Sequence, residues 1–289
     1  MVNVIVVGSG GQVGRALMRA CPDAIGLGRA DLDLAGDFFL FSATPPPATL
    51  ENPVVVNVAA FTAVDEAEYP DRQDELFAVN ASAPGRLAQQ CQAAGVPFIH
   101  VSTDYVFDGT LPEGQLNPVD AAVNPVNWYG RTKYAGEVGT VGYGGHVVRT
   151  SWVYSGPNEP GRDFVTTMLD LADRGVDPGV VDDQYGRPTS AEVLAGGLLE
   201  LAEHLAEGQE MPPRLHFAGG GDVTTWYGFA REVFSLAGHD PDRVSPVSTS
   251  DYPTRAPRPA NTALDLCEWE KVGLTPPPAW QESLAAMLR

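Results

Sequence analysis

The sequence predicts a doubly wound α/β fold with a smaller C-terminal substrate domain behind it, and three observations carry that expectation. Residues 2–7 are an almost continuous β-branched run, as for a strand buried on both faces of a parallel sheet. The run ends in closely spaced glycines at the start of a helical segment. Strand-like and helix-like stretches then alternate to about residue 150, the pattern of a Rossmann-type parallel sheet.

The first strand, 2–7, meets Gly8-Ser9-Gly10-Gly11-Gln12-Val13-Gly14, after which 15–20 reads as helix. A second short strand, 24–27, stops at Gly28 and Arg29. Pro45, Pro46 and Pro47 interrupt regular structure, so 44–53 is expected as loop. Residues 54–58 give a third strand, and one long helix is expected over 72–94, ended by Gly95. A strand at 98–101, a helix carrying Tyr129 and Lys133, and a strand at 146–149 complete an expected dinucleotide-binding domain, residues 1–150. Beyond it, 164–174, 191–207 and 226–237 look helical, between loops rich in Gly, Pro and Asp. Residues 151–289 are therefore expected to form the smaller domain, with part of 175–210 rejoining the first.

Composition acts mainly by exclusion. At 289 residues the chain exceeds one typical domain. Its net charge of −19 and the lack of a basic stripe argue against a nucleic-acid binder. An anionic ligand must then be met by local Arg side chains and helix N-termini, against an unfavourable overall field. The N-terminus has no basic segment before its apolar run, so no signal peptide is expected. No apolar stretch approaches the roughly 20 residues of a membrane span. Cys21, Cys91 and Cys267 are far apart and read as free thiols, which implies a cytoplasmic location. The five His are scattered in no metal-like spacing.

The residues that carry chemistry fall at the ends of expected strands. Gly8, Gly11 and Gly14, with Gln12 and Val13 between them, permit a tight turn and close approach of backbone to a pyrophosphate, which a helix N-terminus then attracts. Arg29 is placed for an adenosine 2′-phosphate, or is a solvated surface residue; with no acid at positions 28 or 29, NADPH is favoured and NADH is the alternative. Asp33 and Leu34 follow, placed for the adenine edge. Ala60, Phe61 and Thr62 lie just past strand three, where small residues either admit a nicotinamide ribose or pack a helix.

Tyr129 and Lys133 are four apart on a helix and share a face. A free phenol has a pKa near 10, and a nearby ammonium favours its ionised form. The spacing alone arises by chance in many proteins. It gains weight from Thr103, whose hydroxyl at a strand end can hold a carbonyl oxygen, and from the glycine turn.

Seven stretches together resemble one family. They are the glycine turn at 8–14, NVAAFTAVDEAE at 57–68, STDYVFDG at 102–109, Tyr129 to Lys133, RTSWVY at 149–154, DDQYGRPT at 182–189 and RPANTAL at 258–264. The chain resembles, nearly end to end, the dTDP-4-dehydrorhamnose reductase family of extended short-chain dehydrogenases/reductases. The resemblance implies NAD(P)H-dependent reduction of the C4 ketone of dTDP-4-dehydro-L-rhamnose, the last step of dTDP-L-rhamnose synthesis. It implies a catalytic trio of Thr103, Tyr129 and Lys133, in which Tyr129 protonates the oxyanion. Lys133 would lower the Tyr129 pKa and bind the nicotinamide ribose. Asp104, Tyr105 and Trp152 would line the sugar and nucleotide site, and Arg258 would meet the diphosphate. The implied partner is a dTDP-sugar, with neither nucleic acid nor membrane, for a monomer or homodimer.

The chain also departs from the family pattern. Some members bridge a dimer through a metal held by Glu residues; Glu192 matches one such position, but Gln281 follows Trp280 where Glu is expected. A bridging Mg2+ is therefore in question and no metal ligand is assigned. Two rival readings stay open at the level of sequence. A nucleotide-sugar dehydratase or 4-epimerase is one, although Asp104-Tyr105 lacks the second carboxylate that dehydratases carry there. A non-catalytic dinucleotide-binding subunit, like that of methionine adenosyltransferase, is the other.

Overall fold

The computed structural model describes residues 2–41 and 50–289. Its main sheet has strands β1 (Asn3–Val7), β2 (Ile25–Leu27), β3 (Pro53–Asn57), β4 (Phe98–Thr103), β5 (His146–Thr150) and β6 (Arg214–His216). Their order is β6-β5-β4-β3-β1-β2, and every neighbouring pair is parallel. The chain moves outward from β1 to β2 and then crosses back to β3 on the other side of β1. The strand order therefore reverses between β1 and β3, and a doubly wound sheet opens its ligand crevice at the carboxyl ends of those strands.

The helices are α1 (Gln12–Ala20), α2 (Gln73–Phe77), α3 (Ala83–Ala94), α4 (Trp128–Gly142), α5 (Phe164–Asp173), α6 (Ala191–Ala206), α7 (Trp226–Leu236), α8 (Cys267–Lys271) and α9 (Trp280–Met287). Side chains alternate across a strand, and β1 uses both faces. Val4 and Val6 join a core with Leu17 of α1 and Leu194, Leu198 and Leu201 of α6. Ile5 and Val7 join a second core with Leu87, Ala88 and Cys91 of α3. Each such fully buried aliphatic side chain stabilises the fold by about 1.5–3 kcal/mol relative to exposure. That is why the strand reads as an unbroken apolar run.

A third core lies apart from the sheet, where Val165 and Met168 of α5 meet Phe229 and Val233 of α7 and Trp280 and Leu284 of α9. Short pairings tie the later segments together: Gly179–Val181 runs parallel to Ser245–Val247, and Tyr185–Gly186 antiparallel to Thr224–Thr225. The chain returns to the sheet through α6 and again through β6, past residue 210.

Two sequence expectations change. Of the loop expected over 44–53, residues 44–49 lie outside the described residues, while Pro53 opens β3, a position that spares the ladder a missing N–H. The helix expected over 72–94 is broken by a π turn, Ala78–Ser82, between α2 and α3. The cause is Pro84, which has no N–H to give the carbonyl four residues back, that of Asn80. The widened turn places the Asn80 side chain against the loop after β3, where it accepts from Phe61 N at 2.8 Å and donates to Phe61 O at 3.0 Å.

Candidate active site

A groove of about 800 Å³ occupies the crevice at the β1–β3 switch point. Gly8, Gly11, Gln12, Val13, Arg29, Asp33, Leu34, Ala60, Phe61, Thr62, Tyr129 and Lys133 all line it, so the structure brings together nearly the whole set expected for a dinucleotide. Gly14 does not face the groove. It packs beneath the turn, where a methyl group would run into the Gly8 carbonyl. Gly8 has φ +91°, and a Cβ there would stand 2.7 Å from Ala59 N, so two loops from adjacent strands meet only because it is glycine.

The residues present suit a dinucleotide. The first turn of α1 holds no acidic residue and its N-cap, Gly11, contributes no capping side chain, which leaves its amides and positive dipole end to an anion. Farther along, Arg29 is 73% exposed in its side chain and pairs with Glu75 at 3.1 Å and more loosely with Asp33. Arg72, which the sequence reading missed, lines the same stretch and pairs with Glu75 from the other side at 3.0 Å. Its Nε is buried with no partner among the described residues. Sequence spacing carried no signal for Arg72, because the loop after β3 alone brings it beside Arg29.

The chemistry-bearing cluster sits at the carboxyl end of β4 and the first turns of α4. Asn127 caps α4 by accepting from Gly130 N at 2.8 Å and also donates to Pro257 O at 2.9 Å, fixing the helix start against the C-terminal segment. Trp128 N donates to Glu68 at 2.8 Å. Thr103 Oγ1 accepts from Tyr105 N at 3.2 Å and donates to Asp104 at 3.0 Å. Asp104 is buried and also accepts from Thr262 of the RPANTAL stretch, whose spacing alone gave it no role in the site. Burial pushes Asp104 up to about 7, against the two hydroxyls that favour its ionised form. The Tyr105 ring stands edge-on to Tyr129 with centroids 5.9 Å apart.

Electrostatics here differ from the sequence expectation. Tyr129 is not lowered: burial pushes its phenol up to about 12, while the Thr103 hydroxyl beside it favours ionisation and Asp104 opposes it. Burial also lowers Lys133 to about 7, although Glu137 favours its charge. A buried amine that readily loses its proton supplies little of the field that would ionise a phenol. Lys133 Nζ donates to Val101 O at 2.7 Å and lies 3.1 Å from His100 Nε2.

The remaining expected residues are more dispersed. Arg258 pairs with Asp65 at 2.7 Å and is mostly buried; burial and then Asp104 push the Tyr105 phenol up, and Arg258 opposes them. Trp152 adopts a left-handed conformation at φ +47° and stacks on Trp226 with centroids 3.8 Å apart. Thr103, Asp104, Tyr105, Trp152 and Arg258 do not line the dinucleotide groove. Glu192 pairs with Arg19 at 3.4 Å, and the described residues form no cluster of three or more metal-ligating side chains.

The sequence pattern of the RmlD substrate binding domain matches residues 2–289. The chain belongs to that family. It is 40% identical over 98% of its length, and 84% of the relative's, to a dTDP-4-dehydrorhamnose reductase of Mycolicibacterium smegmatis. It is 39% identical over 99% of its length to the enzyme of that name from Mycobacterium tuberculosis, covering 92% of it. Among solved structures, the dTDP-4-dehydrorhamnose reductase of Bacillus anthracis in complex with NADP superposes with a TM-score of 0.85 and 30% identity, over 99% of this chain and 98% of that one.

Proposed function

We propose that this member of the family is a reductase that uses NADPH to convert dTDP-4-dehydro-L-rhamnose to dTDP-L-rhamnose. The observation that carries the reading is the placement of Tyr129 and Lys133 on the wall of a dinucleotide-sized groove, with Thr103 at the adjoining strand end. When bound, the dinucleotide supplies the hydride. The amides at the start of α1 would hold its pyrophosphate, and Arg29 and Arg72 would hold a 2′-phosphate in place of Glu75.

In this reading Thr103 orients the sugar C4 carbonyl oxygen, and Tyr129 gives its phenolic proton to that oxygen as negative charge develops. A phenol near 12 is fully protonated at neutral pH, as a proton donor must be. Lys133 sits one turn farther along α4, where it would meet the ribose hydroxyls and replenish Tyr129. Asp104 and Tyr105, just past the end of β4, are assigned to the sugar and nucleotide side together with Trp152 and Arg258, which come from the segments after residue 150 that form the smaller, substrate-binding part. A dehydratase reading is disfavoured by Tyr105 at the position of the second carboxylate. Free thiols at Cys21, Cys91 and Cys267 suit a cytoplasmic enzyme, and either a monomer or a homodimer fits the reading.

The test is spectrophotometric. NADPH absorbance should fall only when the 4-keto sugar nucleotide is supplied, with dTDP-L-rhamnose as product. A chain that binds NADPH but never oxidises it with that sugar sinks the proposal.

A further inference from the structure

The reductase reading uses Thr103, Tyr129 and Lys133 and leaves one buried ionisable neighbour without a task. His100 sits on β4 with no solvent exposure and does not line the groove. Its Nδ1 is 3.1 Å from Asn57 Nδ2, and its Nε2 is 3.1 Å from Lys133 Nζ. The proton on this ring can be located by following the amide. Ala59 N–H donates to Asn57 Oδ1 at 3.1 Å, so the amide oxygen faces Ala59 and the NH2 group faces His100. An amide NH2 can only donate. Nδ1 must therefore be the acceptor, and the neutral imidazole carries its hydrogen on Nε2, aimed at Lys133. An ammonium in that place meets the N–H head on. A neutral amine accepts it through its lone pair and still donates to Val101 O.

We infer that His100 is a positioning residue for Lys133: locked by Asn57 in the Nε2–H tautomer, it favours the neutral amine over the ammonium at the centre of the site. The inference rests on the reading of Tyr129 and Lys133 as the proton-handling pair. The electrostatics agree in direction. Burial lowers Lys133 to about 7; burial and then the Lys133 charge hold His100 well below the usual histidine range, against the Asn57 carbonyl, which favours the imidazolium. Of the other groups around the pair, Glu137 on α4 favours the ammonium. Tyr129, also on α4, is held neutral by burial, and Asp104 from the end of β4 acts on Tyr129. Lys133 thereby becomes a side chain that gains and loses a proton at neutral pH, so it can return the proton that Tyr129 gives away.

The composition makes this directly measurable, because Lys133 and Lys271 are the two lysines of the chain. Protein labelled with 13C at lysine Cε gives two signals, with Lys271, exposed on α8, as the reference. Lys133 should titrate well below Lys271. His100→Gln can turn a carbonyl oxygen toward Lys133 and should raise its midpoint by more than one pH unit, roughly tenfold in proton affinity. The limb of turnover against pH that Lys133 governs should move upward with it. A merely structural role would lower the melting temperature and move neither. An unmoved midpoint, or a wild-type Lys133 that titrates in step with Lys271, overturns the inference. If His100→Gln does not fold, 15N spectra of the wild-type histidine rings decide: His100 as Nε2–H supports the inference and Nδ1–H overturns it. The lysine titration needs no substrate. A shift as expected without turnover of the keto sugar would therefore count against the reductase reading and leave the His100 assignment standing.

Discussion

Helix α4 carries two buried ionisable residues one turn apart, Lys133 and Glu137, and the protein treats them in opposite ways. Glu137 is fully matched: Arg149 donates to its two oxygens at 2.9 and 2.7 Å, and Ser102 donates at 2.7 Å. Arg149 in turn reaches Val119 O at 3.1 Å and lies near His216. Every strong donor of that cluster finds an acceptor, as a buried charge pair requires. Lys133 has one backbone carbonyl, an imidazole nitrogen that presents hydrogen, and an open groove. The same helix thus holds a structural charge and a reactive one. What separates them is whether the protein itself completes the hydrogen bonds or leaves them to a ligand.

The comparison breaks most visibly at its structural end. Glu137→Ala strands Arg149 in the core and should cost about 3–5 kcal/mol in thermal or denaturant unfolding, whereas Glu137→Leu combined with Arg149→Met should recover most of it. Tyr129→Phe attacks the other end. It should lower turnover by about 10²–10⁴-fold with an unchanged melting temperature and an unchanged NADPH affinity. Wild-type turnover in that variant would remove Tyr129 from the chemistry. Lys133→Met sharpens the contrast, since removing a poorly matched buried amine should leave the melting temperature equal to or above wild type while both rate and cofactor binding fall. A destabilised Lys133→Met would mean the two residues are not different in kind.

Arg72→Ala, like Arg29→Ala, should raise KM for NADPH by about tenfold and leave KM for NADH nearly unchanged, as loss of a phosphate-paired guanidinium predicts. Equal losses for both cofactors would assign Arg72 to the fold. A last effect is read from pH. His216, lowered to about 3 by burial and by Arg149, binds no proton when folded in a range where the unfolded chain does. Its contribution to stability is present above about 6.5 and is lost as pH falls toward 3, about 2 kcal/mol by pH 5. His216→Gln should flatten the fall in melting temperature between pH 6.5 and 5, and an equally steep fall would exclude His216 as its source.

The sheet and its glycine turn were legible in the chain because they rest on local rules. A strand buried on both faces must be apolar at every position, as Val4 to Val7 are, and a turn that crowds Ala59 must be glycine, as Gly8 is. Tyr129 and Lys133 were legible through helix periodicity, and Thr103 through its place at a strand end. Other features had no local signal. The break at Asn80 required noticing that Pro84 withholds one hydrogen bond, and Arg72 joins Arg29 only across a folded loop.

The sequence by itself determined that the first strand is buried on both faces, where the strands end and which functional groups stand at those ends, since these follow from side-chain period and backbone sterics. Only the tertiary structure decided their protonation. Whether Tyr129 and Lys133 are charged depends on solvent exclusion and on partners such as Thr103, His100 and Asn57. Those partners are assembled from separate strands, and the energy of a charge is set by all that surrounds it in space rather than by its neighbours along the chain.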